Sequence, residues 1–381
     1  MNEKRQPITA SAPGKLMLLG EHAVVYGRPC LVTAVGRWQA TVAPAADDLL
    51  HVTAPDVGLL DCALPLTAPV GEMPAGARFV AAAVQEFRRQ HGGSGGLRVH
   101  TSSALSSRYG LGSSAAVTVA VLQALAAWQG VPLTQAELFD LGRRAVLAVQ
   151  GVGSGFDVAA AVYGGALYFA AGGPTIEPLA KVNISSLRAQ RSNLSHGATV
   201  RLLRRSAPLK RHHALLPETA GVMALHRNDS GKPVGELPLV VGYSGVKADT
   251  TTLVRGVAAR RAAAPQEIDR LFDESAALVE AGRRALLAGD FATLGRLFAQ
   301  AQELLVRLGV STPRLEALIA AAREAGAWGA KLSGAGGGDC LIALAPSERH
   351  QAVEAAIVAA GGELVAVRPG EPGARVEEVV G

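Results

Sequence analysis

Gly110-Leu111-Gly112-Ser113-Ser114-Ala115-Ala116 is the stretch on which the reading of this chain turns. Glycines at 110 and 112 let backbone N–H groups turn toward an anion. The apolar run from Ala115 to Trp128 continues as a helix whose positive end faces the same point. Ser113 and Ser114 suit a helix start, because their hydroxyls can satisfy free N–H groups. Two more glycine-rich stretches lie far away on either side. Ala12-Pro13-Gly14-Lys15 runs into Gly20-Glu21-His22-Ala23-Val24-Val25-Tyr26-Gly27, and Lys331-Leu332-Ser333-Gly334-Ala335-Gly336-Gly337-Gly338-Asp339-Cys340 comes near the end. None has the G-x-x-x-x-G-K-[ST] spacing of a P-loop. One such loop is weak evidence of a phosphate site; three in this order are strong.

A chain of 381 residues, 49% hydrophobic and 18% charged, has the size and composition of two packed domains. The N-terminal Met1-Asn2-Glu3-Lys4-Arg5-Gln6-Pro7 lacks the apolar core of a secretory signal, and Ala115–Trp128 is too short to span a bilayer. Cys30, Cys62 and Cys340 follow no metal or disulfide spacing, which fits a reducing, cytoplasmic setting. The net charge of +5 is concentrated. Residues 183–236 hold nine Lys/Arg against three Asp/Glu, a net +6, so the remainder is close to neutral. This segment carries four of the nine histidines and no sustained period. It reads as an inert, disordered insertion, with a basic arm for RNA or an acidic partner as the alternative; no nucleic-acid or membrane partner is expected.

Along the rest of the chain, residues 8–53 alternate as antiparallel strands, and Leu97–His100 is a strand leading into the central loop. Helices are expected from Ser113 to Trp128, from Thr134 to Val149 with a Thr134/Glu137 capping box, and over 158–163. Strands are expected at Ala166–Phe169, Leu237–Tyr243 and Asp339–Leu344. Helices are expected at 249–262, 265–287, 290–308, 312–325 and 347–360, with two terminal strands after the last. Strands followed by helices on one face of a sheet make both halves α+β.

Phosphoryl transfer needs a cradle for the nucleotide phosphates, a cation to spread charge and a group to take the acceptor proton. The central loop supplies the first. Asp157, between Gly153-Ser154-Gly155-Phe156 and the apolar Val158–Val162, is the candidate for the third; its bland alternative is a helix N-cap.

The three stretches and their order are similar to those of the GHMP kinases, the family of galactokinase, homoserine kinase, mevalonate kinase and phosphomevalonate kinase. The likeness runs from about Ile8 to the last strand. It implies a two-domain fold: an N-terminal domain like domain 2 of ribosomal protein S5, over 1–182, and a ferredoxin-like C-terminal domain, over 237–381. It implies ATP and Mg²⁺, with Asp157 as catalytic base and Lys15 neutralising charge between it and the γ-phosphate. Ser103, Gly110, Leu111, Gly112, Ser113, Ser114 and Ala115 would bind ATP, with the Ser114 hydroxyl also on the metal. Glu21, His22, Thr250, Gly334, Ala335, Gly336 and Gly337 would face the acceptor, Asp249 competing with Thr250 for the helix cap, and Lys331 reads as structural. A homodimer is compatible with this resemblance.

At a finer level the resemblance divides. Gly20-Glu21-His22-Ala23-Val24-Val25-Tyr26-Gly27 is similar to mevalonate kinases. Arg108–Ser114, Gly153–Ala159 and Gly338-Asp339-Cys340 are more similar to phosphomevalonate kinases. Val146 stands where mevalonate kinases usually carry a glutamate ligand to Mg²⁺, and valine cannot bind a hard cation. An acceptor already bearing phosphate wants a basic clamp, and Lys15, Arg28 and Lys247 form no obvious cluster. The balance favours mevalonate over 5-phosphomevalonate as acceptor. A non-catalytic protein of the same fold is the remoter reading.

Overall fold

The computed structural model describes residues 6–171, 175–180 and 237–377; the basic segment 183–236 lies outside them. The N-terminal half is built on β1 (Ile8–Leu19), β2 (Pro29–Pro44), β3 (Leu49–Ala54), β4 (Leu59–Pro65), β5 (Leu97–Ser103), β6 (Ala166–Ala170) and β7 (Thr175–Ala180). The order is β1-β2-β5-β3-β4, with β6 joined to β2 and β7 to β6. The long β2 serves both branches: Pro29–Thr33 pairs with β6 and Trp38–Pro44 with β5. The β1–β2 register slips between Ala12 and Gly14. Pro13 sits at the slip, where its missing N–H costs no ladder bond, and the local bend sets the direction of the next side chain, Lys15.

Four helices cover this sheet: α1 (Arg78–His91), α2 (Ser113–Gln129), α3 (Gln135–Gln150) and α4 (Phe156–Tyr163). The Thr134/Glu137 capping box is present at the start of α3. α2 is apolar on all sides and buried between sheet and helices, which matches its lack of a polar face. α1 is absent from the expected elements although Val80, Ala83, Val84 and Phe87 fall on one buried face at helical spacing.

In the C-terminal half, β8 (Leu239–Tyr243), β9 (Gly329–Ser333), β10 (Cys340–Leu344) and β11 (Glu363–Leu364) form an antiparallel sheet of order β11-β8-β10-β9. Its helices are α5 (Thr250–Ala263), α6 (Pro265–Ala288), α7 (Phe291–Arg307), α8 (Pro313–Glu324) and α9 (His350–Ala359). This is the ferredoxin-like strand order with extra helices between the first two strands. The expected fold is therefore the one observed. The last strand, β12 (Arg375–Val376), leaves the second half and pairs with Ala10 and Ser11 of β1. No helix among the described residues is long and apolar enough to cross a membrane.

Each half has its own buried cluster, and a third cluster joins the two. Leu16, Leu18, Leu31, Trp38 and Leu111 pack with Val241, Tyr243, Leu294, Phe298 and Ile342 in one buried cluster. The Ser333 hydroxyl adds a polar stitch, accepting from the Met17 N–H and donating to the Met17 carbonyl, both at 3.0 Å.

Candidate active site

The central loop is held open by backbone geometry. Gly110 and Gly112 have φ of 71° and 79°, the left-handed region in which only glycine is unstrained. Gly112 is the N-cap of α2, and no side chain bonds to the cap. This corrects the expectation that Ser113 and Ser114 cap the helix themselves. The first-turn N–H groups of Ser113, Ser114 and Ala115 therefore face outward without a capping side chain, the arrangement that receives an anion. The Ser114 carbonyl accepts from the Thr118 hydroxyl.

Lys15 meets this loop from β1. Its backbone N–H donates to the Leu111 carbonyl at 2.7 Å, and its Nζ donates to the Gly110 carbonyl at 3.1 Å. A side chain at Gly14 would strike the Trp38 ring, so glycine is required for this approach. The Lys15 ammonium is buried. Desolvation lowers its pKa, and the charges of Asp157 and Asp339 pull it back up.

Asp157 lies in the first turn of α4, whose N-cap is Gly155; the alternative of Asp157 as the cap is not what forms. Its Oδ1 accepts from the Val158 N–H at 2.9 Å. Burial raises its carboxyl pKa, opposed by the Lys15 charge. Lys15 is buried and Asp157 half-buried, and each favours the charged form of the other.

The third loop closes the same space. Its glycines are packed against backbone: Gly336 against Val310, and Gly338 against Val246. His22, at φ 58°, places its Nε2 2.9 Å from the Ala335 carbonyl, and burial lowers its pKa. Asp339 packs directly on Gly110. Its carboxylate accepts from the Ala248 N–H at 3.0 Å and from Lys247 Nζ at 3.2 Å. Asp249 caps α5 through the Thr252 N–H, which leaves Thr250 at the first helical position, exposed beside this loop.

Two expected contacts are otherwise occupied. The Glu21 carboxylate is buried and ion-paired with Lys331, the latter serving the structural role expected of it. The Ser103 hydroxyl bonds the Arg37 carbonyl at 3.2 Å and the Leu105 N–H at 2.9 Å, closing the turn after β5. Both residues shape the site from behind in this arrangement. Val146 is buried in the core on α3, where it can ligate nothing. Phe156, whose ring centroid lies 5.8 Å from Lys15 Nζ, has no role in the sequence reading, and its place beside Asp157 is the one signal that could have found it.

The mevalonate kinase of Thermococcus gammatolerans is 32% identical over 98% of this chain and 99% of its own length, and that of Pyrococcus horikoshii is 31% identical over 98% of each. The family models for the GHMP kinases N terminal domain and the GHMP kinases C terminal region match residues 78–165 and 283–363. This chain belongs to the GHMP kinase family. As a GHMP kinase it is an ATP-dependent phosphotransferase fold, and the solved structures agree on architecture. Methanococcus jannaschii mevalonate kinase superposes with a TM-score of 0.71 at 20% identity, covering 96% of this chain and 99% of that one. Streptococcus pneumoniae phosphomevalonate kinase with phosphomevalonate and AMPPNP gives 0.67 at 20% identity, covering 95% and 99%.

Proposed function

We propose that this GHMP kinase is a mevalonate kinase, transferring the γ-phosphoryl group of ATP to the 5-hydroxyl of mevalonate in isoprenoid precursor synthesis. The observation that carries the reading is the full-length similarity to mevalonate kinases above 30% identity, combined with a buried Lys15 and a half-buried Asp157 whose charges interact beside the glycine loop. Asp157 takes the hydroxyl proton. The freed oxygen attacks the γ-phosphorus, the bond from that phosphorus to the β–γ bridging oxygen breaks, and ADP leaves. Lys15 offsets the negative charge that builds between base and phosphoryl group. The N–H groups at the start of α2 hold the nucleotide phosphates. Glu21 is assigned a supporting role, orienting the His22 turn through Lys331, and His22, Thr250 and the Gly334–Gly337 backbone line the acceptor side.

Mg²⁺ fits as a partner of the nucleotide. No cluster of three His, Cys, Asp or Glu among the described residues could hold a metal by itself, and the Ser114 hydroxyl is the protein ligand offered at the cradle. Bound there with ATP, it would neutralise the β- and γ-phosphate oxygens.

5-Phosphomevalonate as acceptor is the second reading, supported by the Gly338-Asp339-Cys340 string. Against it, the basic groups nearest the pocket are engaged: Arg28 pairs with Asp273 at 2.8 Å and Lys247 with Asp339 at 3.2 Å. ADP release measured with Mg-ATP and each acceptor in parallel decides between them. Turnover with mevalonate alone is expected; turnover with 5-phosphomevalonate alone would overturn the assignment.

A further inference from the structure

Arg108 and Tyr109 stand immediately before the glycines of the phosphate loop and enter no step above. Both reach to the other half of the molecule. Glu363, on β11, accepts from Arg108 at 2.5 and 2.7 Å through its two oxygens and from the Tyr109 hydroxyl at 2.5 Å. The Arg108 guanidinium lies 5.1 Å from the Tyr109 ring centroid and 5.5 Å from that of Tyr243 on β8, and the two tyrosine rings meet edge to face at 5.2 Å. The Tyr109 carbonyl accepts from Cys340 Sγ, on β10, at 3.2 Å. Tyr109 is thus held by hydroxyl, ring and backbone to Glu363, Tyr243 and Cys340 of the C-terminal sheet, besides its local contacts with Arg108 and Ser106.

We propose that Arg108, Tyr109 and Glu363 form a latch through which the C-terminal sheet positions the phosphate loop for ATP. A loop whose curvature rests on Gly110 and Gly112 has no side chain at either turning residue, and Leu111 between them is its one buried anchor in the core. Ordering it on nucleotide binding would cost conformational entropy that a latch removes in advance. The Tyr109 hydroxyl and the Arg108 charge hold the Glu363 carboxyl below the usual carboxylate range, so the latch is charged at neutral pH. Arg108 and Glu363 side chains remain 51% and 44% exposed, and exposed pairs add little to global stability. The latch therefore acts on the loop it holds rather than on the fold. These are positioning residues, and the inference rests on the ATP reading above.

The test uses the full chain with Glu363→Ala, with Tyr109→Phe as the milder variant that removes only the hydroxyl. Mg-ATP affinity is titrated directly in the absence of acceptor, beside steady-state kinetics and Tm. The expected result is a dissociation constant for ATP raised about 3- to 10-fold, with the KM for mevalonate and the Tm near wild type. The combination of Arg108→Gln with Glu363→Ala should weaken ATP no more than Glu363→Ala alone. Unchanged ATP affinity in both variants, or equal losses for both substrates with a lowered Tm, would overturn the latch. A wild-type protein that fails to bind Mg-ATP would instead overturn the kinase reading beneath it.

Discussion

Lys331 donates to the Glu21 carboxylate in the interior, their side chains 0% and 2% exposed, across 310 residues of chain. The pair joins β9 to the turn that presents His22, and Lys331 also donates to the Leu332 carbonyl at 2.6 Å. Removing one partner strands a charge in a dry place. Lys331→Met should therefore destabilise the protein by about 3–5 kcal/mol, whereas the double variant Glu21→Gln with Lys331→Met should recover much of that loss. Denaturant unfolding of the single and double variants checks this. A double variant no more stable than the single would mean that the pair does more than compensate its own burial.

Asp157 should show opposite effects on activity and stability. Asp157→Asn is expected to lower kcat by about 10³-fold or more while Mg-ATP still binds. Burial raises the folded-state pKa of Asp157, so its favourable contribution to stability is present below the unfolded carboxylate pKa and lost as pH rises through the raised one. At neutral pH the ionised carboxylate thus costs stability. Asp157→Asn should have a higher Tm than wild type at pH 7, and the difference should vanish toward about pH 4. A lower Tm for the variant at pH 7 would mean that attraction to Lys15 outweighs desolvation. The same shifts narrow the pH–rate profile: the Asp157 limb moves up and the Lys15 limb moves down.

What the sequence disclosed of this arrangement was what local chemistry can encode. The glycine loops, the α2 and α3 helices and the order of elements follow from spacing and turn residues, and so does the pairing of Asp157 with a glycine-bounded helix start. The partners of those residues do not. Nothing near Glu21 announces Lys331, and nothing near Tyr109 announces Glu363. Likewise β12 leaves the C-terminal sheet for Ala10 and Ser11, a non-local pairing that a two-residue strand cannot signal. Serines at 113 and 114 suggested capping by propensity. The glycine at 112 took the cap instead, because a left-handed residue there turns the loop sharply enough to aim the N–H groups outward.

Gly110 and Asp339 make the close packing of the first and third loops testable. A Cβ on Gly110 would lie 2.6 Å from Asp339 Cγ and 3.0 Å from Asp339 Cβ, and φ is 71°. Gly110→Ala should weaken Mg-ATP binding about tenfold or more through strain and displacement of the loop. Adding Asp339→Gly removes the clash but not the φ strain, so it should restore affinity in part. Titration of Mg-ATP onto the single and double variants reads this directly. No recovery in the double variant would assign the whole effect to the backbone.

Ser114 is the group proposed to tie the cradle to Mg²⁺. In the proposed reaction Mg²⁺ would arrive with the nucleotide, and the Ser114 hydroxyl is the ligand proposed for it. Ser114→Ala should then raise the Mg²⁺ concentration for half-maximal rate about tenfold at saturating ATP, with a smaller change in KM for ATP. Mg²⁺ titrated onto the nucleotide-free protein should bind no tighter than the millimolar range, as expected of a cation that keeps its waters and relies on substrate phosphates. An unchanged Mg²⁺ dependence in Ser114→Ala would remove Ser114 from the metal. Tight binding of Mg²⁺ without nucleotide would require carboxylates that the described residues do not bring together.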